Sequence, residues 1–207
     1  MKRNFTLVEL LVTVGIIAIL AGLVIPAVIS SQNQGRITQA KSDMNAIKLA
    51  LKSVETTYGK IINTGSNQIA GVNYTISNGL LTINDNNKPL YKAFITELID
   101  PQKIQRTSGK NLNFNKRCIK FLDPSADYDP TGDFDGNTAD NEWLDPWGKA
   151  YNIVIDTSFQ GYVTINGKNR AGSFQIYSWG PDGEPQNGDN EDQGGAAGSD
   201  DIATWHK

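Results

Sequence analysis

Residues 10 to 29 carry no charged side chain, and that run constrains everything else the chain can be. Apart from Thr13 it holds only aliphatic residues, Gly15, Gly22 and Pro26. As a helix, a run of that length spans roughly 30 Å, the thickness of a bilayer's hydrocarbon core. It has no polar face to offer water, so it reads as a membrane span. Lys2 and Arg3 precede it, as they would in a secretory signal, but signal h-regions are shorter and end in a small-residue cleavage site that Ile25-Pro26-Ala27-Val28-Ile29-Ser30 fits poorly. The basic pair keeps the N-terminus cytoplasmic and places residues from about Ser30 onward on the far side.

The remaining chain is polar enough to bring the mean hydropathy to -0.37. With 207 residues there is room for one modest domain beyond the anchor. Nineteen Lys and Arg against 22 Asp and Glu give a net charge of -3, without the clustered basic surface that nucleic-acid binding needs. Cys118 is alone and forms no internal disulfide. The single His206 removes a His-based triad and a zinc site of several imidazoles.

Glu9 stands at the edge of the span, where a carboxylate is costly without a partner or a purpose. In a plain anchor it would lie at headgroup level. Its context is Phe5-Thr6-Leu7-Val8-Glu9-Leu10-Leu11-Val12, which closely resembles the N-terminus of type IV pilin-like proteins. In that family a short basic leader is removed immediately before a Phe that becomes an N-methylated first residue. The resemblance implies that residues 1–4 are a leader, that a prepilin peptidase cuts between Asn4 and Phe5, and that Phe5 is methylated. Asn4 stands where the family usually carries Gly. It further implies an assembly role for Phe5 and Glu9: the cationic amine of Phe5 in one copy pairs with the Glu9 carboxylate of its neighbour, offsetting the desolvation of both.

Beyond the span, Ile37, Ala40, Met44, Ile47, Leu51, Val54 and Tyr58 recur at alternating spacings of three and four, with Lys41, Asp43, Lys48 and Lys52 between them. This is the period of an amphipathic helix, with Gly59 as its C-cap. A membrane half, 5–29, and an amphipathic half, 30–59, then form one helix of about 80 Å with a soft spot from Pro26 to Gly35. Residues 60–207 form the globular domain. Within it, 72–76 and 80–83 around Ser77-Asn78-Gly79 read as a hairpin, and 89–99 as a helix stopping before Asp100-Pro101. The runs 151–155, 161–165 and 173–179 read as a three-stranded antiparallel sheet for the helix to pack on. The expected fold is α+β and pilin-like: a long N-terminal helix on a small antiparallel sheet. Trp143, Trp147, Trp179 and Trp205 are assigned to the core.

Eight acids fall between residues 121 and 148 and seven between 180 and 204, and neither stretch contains a Lys or Arg. Such a loop is either fully solvated or organised by a hard cation such as calcium. Asp127-Tyr128-Asp129-Pro130-Thr131-Gly132 opens like an EF-hand loop, but its twelfth position is Thr138 rather than Glu. A second calcium site there would use Asp129, Asp133 and Asp135; a solvated loop is the preferred reading. Three ordered motifs are more specific: Asp145-Pro146-Trp147-Gly148 with Tyr151, Ser178-Trp179-Gly180-Pro181-Asp182-Gly183, and Ser199-Asp200-Asp201-Ile202 with Trp205. Together they look like the C-terminal signature of the major pseudopilins of type II secretion. The resemblance implies a structural calcium in a loop over 179–205, held by the Trp179 carbonyl, Asp182, Ser199, Asp200 and Asp201. Residues 184–198 make this connection longer than the family's.

The expected function is that of a pseudopilus subunit that polymerises through its helix and drives type II protein secretion, with no catalysis of its own. The expected partners are other copies of the chain, the prepilin peptidase, the inner-membrane assembly platform, minor pseudopilins and membrane lipid. The expected location is a single pass through the inner membrane with a periplasmic C-terminal domain. Two alternatives were weighed. One is a minor type IV pilin presenting its acidic loops to a ligand; the other is a membrane-anchored hydrolase using paired acids such as Asp133 and Asp135, which lack a placed acid/base partner.

Overall fold

The structure, a computed structural model, describes residues 7–108, 112–124, 143–181, 183 and 202–204. It has the expected α+β, pilin-like arrangement, a long N-terminal helix α1 (Leu7–Tyr58) with small antiparallel sheets. The chain divides into two compact units, Met1–Thr38 and Gln39–Lys207, and α1 contributes to both.

In the first unit the helix is uninterrupted. Residues 26–35 are helical throughout, so the expected soft spot is not a break: a proline forfeits one i→i−4 bond without having to end a helix whose neighbours remain paired. From Leu7 to Ile29 the large apolar side chains are 45% to 79% exposed.

In the second unit the helical stripe turns inward. Ala40, Met44, Ile47, Leu51 and Val54 are buried, joined by Ala50. Asp43, which the periodicity puts on the polar side, is also buried, and its Oδ2 accepts a 3.0 Å hydrogen bond from the Tyr151 hydroxyl. Burial, reinforced by that carboxylate, pushes the Tyr151 phenol up. Gly59 ends the helix as expected, at φ +74, with its N–H donating to the Glu55 carbonyl at 2.8 Å.

The remaining elements are β1 (Gln68–Ile69), β2 (Val72–Asn73), β3 (Leu80–Ile83), a 3₁₀ turn (Asp85–Asn87), α2 (Lys88–Ile99), α3 (Pro101–Ser108), β4 (Asn152–Asp156), β5 (Tyr162–Ile165), β6 (Lys168–Ala171), β7 (Phe174–Ser178) and β8 (Ile202–Ala203). The main sheet runs β3-β4-β7-β8, with every neighbouring pair antiparallel. β4 is buried at every position. Lys52 of α1 lies 5.6 Å from the centroid of the Phe174 ring in β7.

Two strand pairings differ from those expected. The 72–76/80–83 hairpin is reduced to a Ser77↔Leu80 bridge around Asn78 (φ +51) and Gly79 (φ +77). β2 pairs with β1 and β3 with β4, because four-residue pairing with a central strand buries Leu81 and Ile83 completely, which a two-residue partner could not do. Similarly, β5 pairs with β6 rather than entering the main sheet. Its inward Val163 and Ile165 pack on Val154, forming a small second core.

α3 was not anticipated. Asp100-Pro101 ends one helix and starts the next: the Asp100 N–H bonds to Thr96 O at 2.8 Å, its carboxylate accepts from the Lys103 N–H at 3.0 Å, and Pro101 takes the first helical position, where no N–H is needed. α2 starts on Asn87, whose side chain accepts from Leu90 N–H at 3.3 Å, and it is buried from Leu90 to Ile99.

Candidate functional site

Of the residues expected to serve processing, assembly or metal binding, Glu9 and Trp179 are described. Asn4, Phe5, Asp182, Ser199, Asp200 and Asp201 lie outside the described residues, as do Trp205 and the acidic residues 127–140. Glu9 occupies the first turn of α1, on an exposed stretch, where a carboxylate favours the helix N-terminus. The apolar side chains that follow it have no protein to pack on within their unit: the most apolar window of α1 is 0% buried. Among the described residues, α1 is the one helix long and apolar enough to cross a membrane.

The second site is built at the end of β7. Asp145, buried, is a clamp between two of the sequence motifs. Its Oδ1 accepts from the backbone N–H groups of Trp147 (3.1 Å) and Lys149 (2.8 Å). This folds Asp145-Pro146-Trp147-Gly148 into a tight turn, with Gly148 at φ +85. Its Oδ2 accepts from the Ser178 hydroxyl at 2.5 Å, and that hydroxyl oxygen accepts from the Gly180 N–H at 3.1 Å. Asp145 is therefore satisfied within the protein. The clamp fixes the chain as it leaves β7 through buried Trp179 and Gly180, at φ +73. Gly183 continues the turn, its N–H donating to Gly180 O at 3.2 Å.

β8 returns antiparallel to β7, with Tyr177↔Ala203 and Ser178↔Ile202 in register. Thr204 extends the contact, its N–H donating to Ile176 O at 3.0 Å. The register brings the two ends of the acidic connection together: Trp179 follows one partner of the last pair, and Asp201 precedes the other. Of the expected ligands of this loop, the Trp179 carbonyl lies among the described residues. Among the described residues no group of three His, Cys, Asp or Glu forms a metal site.

The expected tryptophan core holds for Trp143 and Trp179, whereas Trp147 is only half-buried. The sequence reading missed the polar residues that organise the domain from within. They are Asp43 with Tyr151, Asp145 with Ser178, and a group around Glu97, whose Oε1 accepts from the N–H groups of Phe114 (2.8 Å) and Asn115 (2.9 Å). The coupling of the Asp145 motif to the Ser178 motif was visible only as their shared occurrence.

Over 50 residues the chain is 51% identical to type II secretion system core protein G of Pseudomonas aeruginosa. The match covers 24% of this chain and 35% of that protein, so it spans about a third of the relative's length. The resemblance to type II secretion read from the sequence is borne out over that stretch. No family model matches the chain, and no solved structure matches it.

Proposed function

We propose that this chain is a pseudopilin, a structural subunit that stands in the inner membrane through the first part of α1 and polymerises through that helix into a periplasmic pseudopilus serving type II secretion. The observation that carries this reading is the apolar stretch of α1, unburied along its length, with a carboxylate in its first turn. A helix of this kind has two ways to cover its surface, lipid and other copies of itself, and Glu9 distinguishes them. Lipid requires only apolarity there. Neighbouring copies gain from a charge that meets the Phe5 amine. The partial identity to a type II secretion core protein supports the same assignment.

In this reading Asn4–Phe5 is the processing site, and the assembly platform and minor pseudopilins are the further partners. The subunit's work is mechanical rather than catalytic. The loop over 179–205 binds calcium through the Trp179 carbonyl, Asp182, Ser199, Asp200 and Asp201, a fit supported by the β7–β8 register that brings its ends together. The metal supplies positive charge among carboxylates that otherwise repel.

The test is Glu9→Val in the full chain, followed by membrane fractionation and cross-linking between differently tagged copies. The variant should remain in the membrane and lose cross-linkable assembly. Assembly at the wild-type level would overturn the proposal, as would an intact mass showing that the assembled subunit retains Met1.

A further inference from the structure

Next to the C-terminal end of α1, a half-open cavity of about 180 Å³ is lined by Tyr58, Lys60, Asn63, Asn113, Phe114 and Lys116. Its walls are braced from below. Asn113, 3% exposed, accepts from the Asn63 N–H at 2.8 Å and donates to the Gln68 carbonyl at 2.7 Å. Glu97 holds the backbone of Phe114 and Asn115. The Asn115 side chain donates to the carbonyls of Glu97 (2.9 Å) and Ile119 (2.6 Å) and accepts from the Tyr58 hydroxyl at 3.1 Å. That hydroxyl oxygen accepts in turn from the Arg117 N–H at 3.2 Å. Satisfied polar groups in such number fix a surface loop in one geometry.

The loop holds cations around the opening. Lys60, Lys116 and Arg117 are exposed, and the Arg117 guanidinium lies 5.8 Å from the centroid of the Tyr58 ring. None of the three pairs with a carboxylate among the described residues; Lys60 donates only to Asn63 Oδ1, at 3.3 Å. A cationic rim over an aromatic-walled cavity suits a peptide that flanks a ring with carboxylates. This chain carries two such triplets in succession, Asp127-Tyr128-Asp129 and Asp133-Phe134-Asp135, in a stretch without Lys or Arg. The proposed calcium loop uses neither.

We infer that the acidic segment 127–135 of a second copy of this chain docks in this cavity, placing a ring between Lys60 and Lys116 and its carboxylates on the cationic rim. The inference rests on the self-assembly reading, which supplies the second copy at high effective concentration.

The test uses full-length chains in membranes, all carrying Cys118→Ser. One tagged copy carries Lys116→Cys and a differently tagged copy carries Asp133→Cys; a parallel pair carries Val12→Cys in both copies to report helix association. On mild oxidation the Lys116→Cys and Asp133→Cys copies should give a mixed disulfide. Lys60→Glu with Arg117→Glu should lower its yield by about tenfold, and Asp127→Lys with Asp129→Lys on the other copy should restore it. A third chain carries both Lys116→Cys and Asp133→Cys; an internal disulfide there, with no mixed disulfide between the singly substituted copies, overturns the inference, because the segment then covers its own cavity. No mixed disulfide while the Val12→Cys pair still cross-links overturns the docking and leaves assembly standing. Failure of both pairs overturns assembly, and the docking inference with it.

Discussion

Glu97 shows how much of this domain is decided by single polar residues. Its side chain is fully buried in α2, and Oε2 has no hydrogen-bond partner in the structure. Burial pushes the carboxyl up to about 7, although the N–H groups of Asn115 and Phe114 pull it back. The same side chain titrates near 4.5 when the chain is unfolded. Between those values the folded protein holds a proton that the unfolded chain has released. Its contribution to stability is therefore full below the unfolded value and is lost as pH rises through the folded one. The loss amounts to about 3 kcal/mol. Denaturant midpoints of the full chain in detergent should show it as the difference between wild type and Glu97→Gln from pH 4.5 to 8. The variant keeps an oxygen for both N–H groups and should lack this part of the slope; identical pH profiles would show that folding does not raise the Glu97 carboxyl. None of this was legible in the sequence. A buried acid is spelled like a surface acid, and what distinguishes Asp43 is a hydroxyl 108 residues away.

At the scale of elements, α1 and α2 were legible, whereas α3 and the strand partners were not. α1 declares itself by its period and by Gly59, and α2 by its stop before Asp100-Pro101, signals that act within a few residues. Strand pairing is settled instead by which partner buries more apolar surface. The Asn78-Gly79 turn survives as a turn although the hairpin around it does not, because positive φ at both positions is a local requirement. Gly79 carries a second constraint. A Cβ there would stand 2.5 Å from Ser158 Oγ and 2.9 Å from its Cβ. Gly79→Ala should therefore cost about 1–3 kcal/mol, combining backbone strain with the displacement of the segment after β4. Gly35→Ala has nothing within 4 Å of the new methyl and sits inside α1, so it should be neutral or stabilising by up to about 1 kcal/mol. Thermal unfolding of the two variants in the same detergent checks the contrast. Equal melting temperatures would mean that the turn is not held as observed.

For the whole molecule, the question is what keeps the last strand in place. Among the described residues β8 contributes two register pairs to the sheet, its two side chains are 7% exposed, and Thr204 adds an N–H bond to the Ile176 carbonyl at 3.0 Å. Fixing each residue costs about 1–2 kcal/mol of backbone entropy, while a hydrogen bond contributes about 1 kcal/mol net. The described pairs and the Thr204 bonds are a small set of contacts to set against the closure of a long connection, and that connection is rich in acids with no Lys or Arg to balance them. The link between the Asp145 and Ser178 motifs was legible in the sequence as their ordered occurrence. The sequence could not show that Asp145 serves as a backbone clamp. If a cation holds that closure, chelation by EGTA should lower the melting temperature of the full chain and open 184–204 to protease. Cleavage elsewhere should stay unchanged, because the Asp145–Ser178 link does not involve the metal. Calcium, but not sodium at equal ionic strength, should reverse both effects, and Asp200→Asn with Asp201→Asn should reproduce the chelated state without chelator. A chain indifferent to EGTA in melting and proteolysis would show that β8 is held by protein contacts alone, and the calcium assignment would be withdrawn while the assembly through α1 stood untouched.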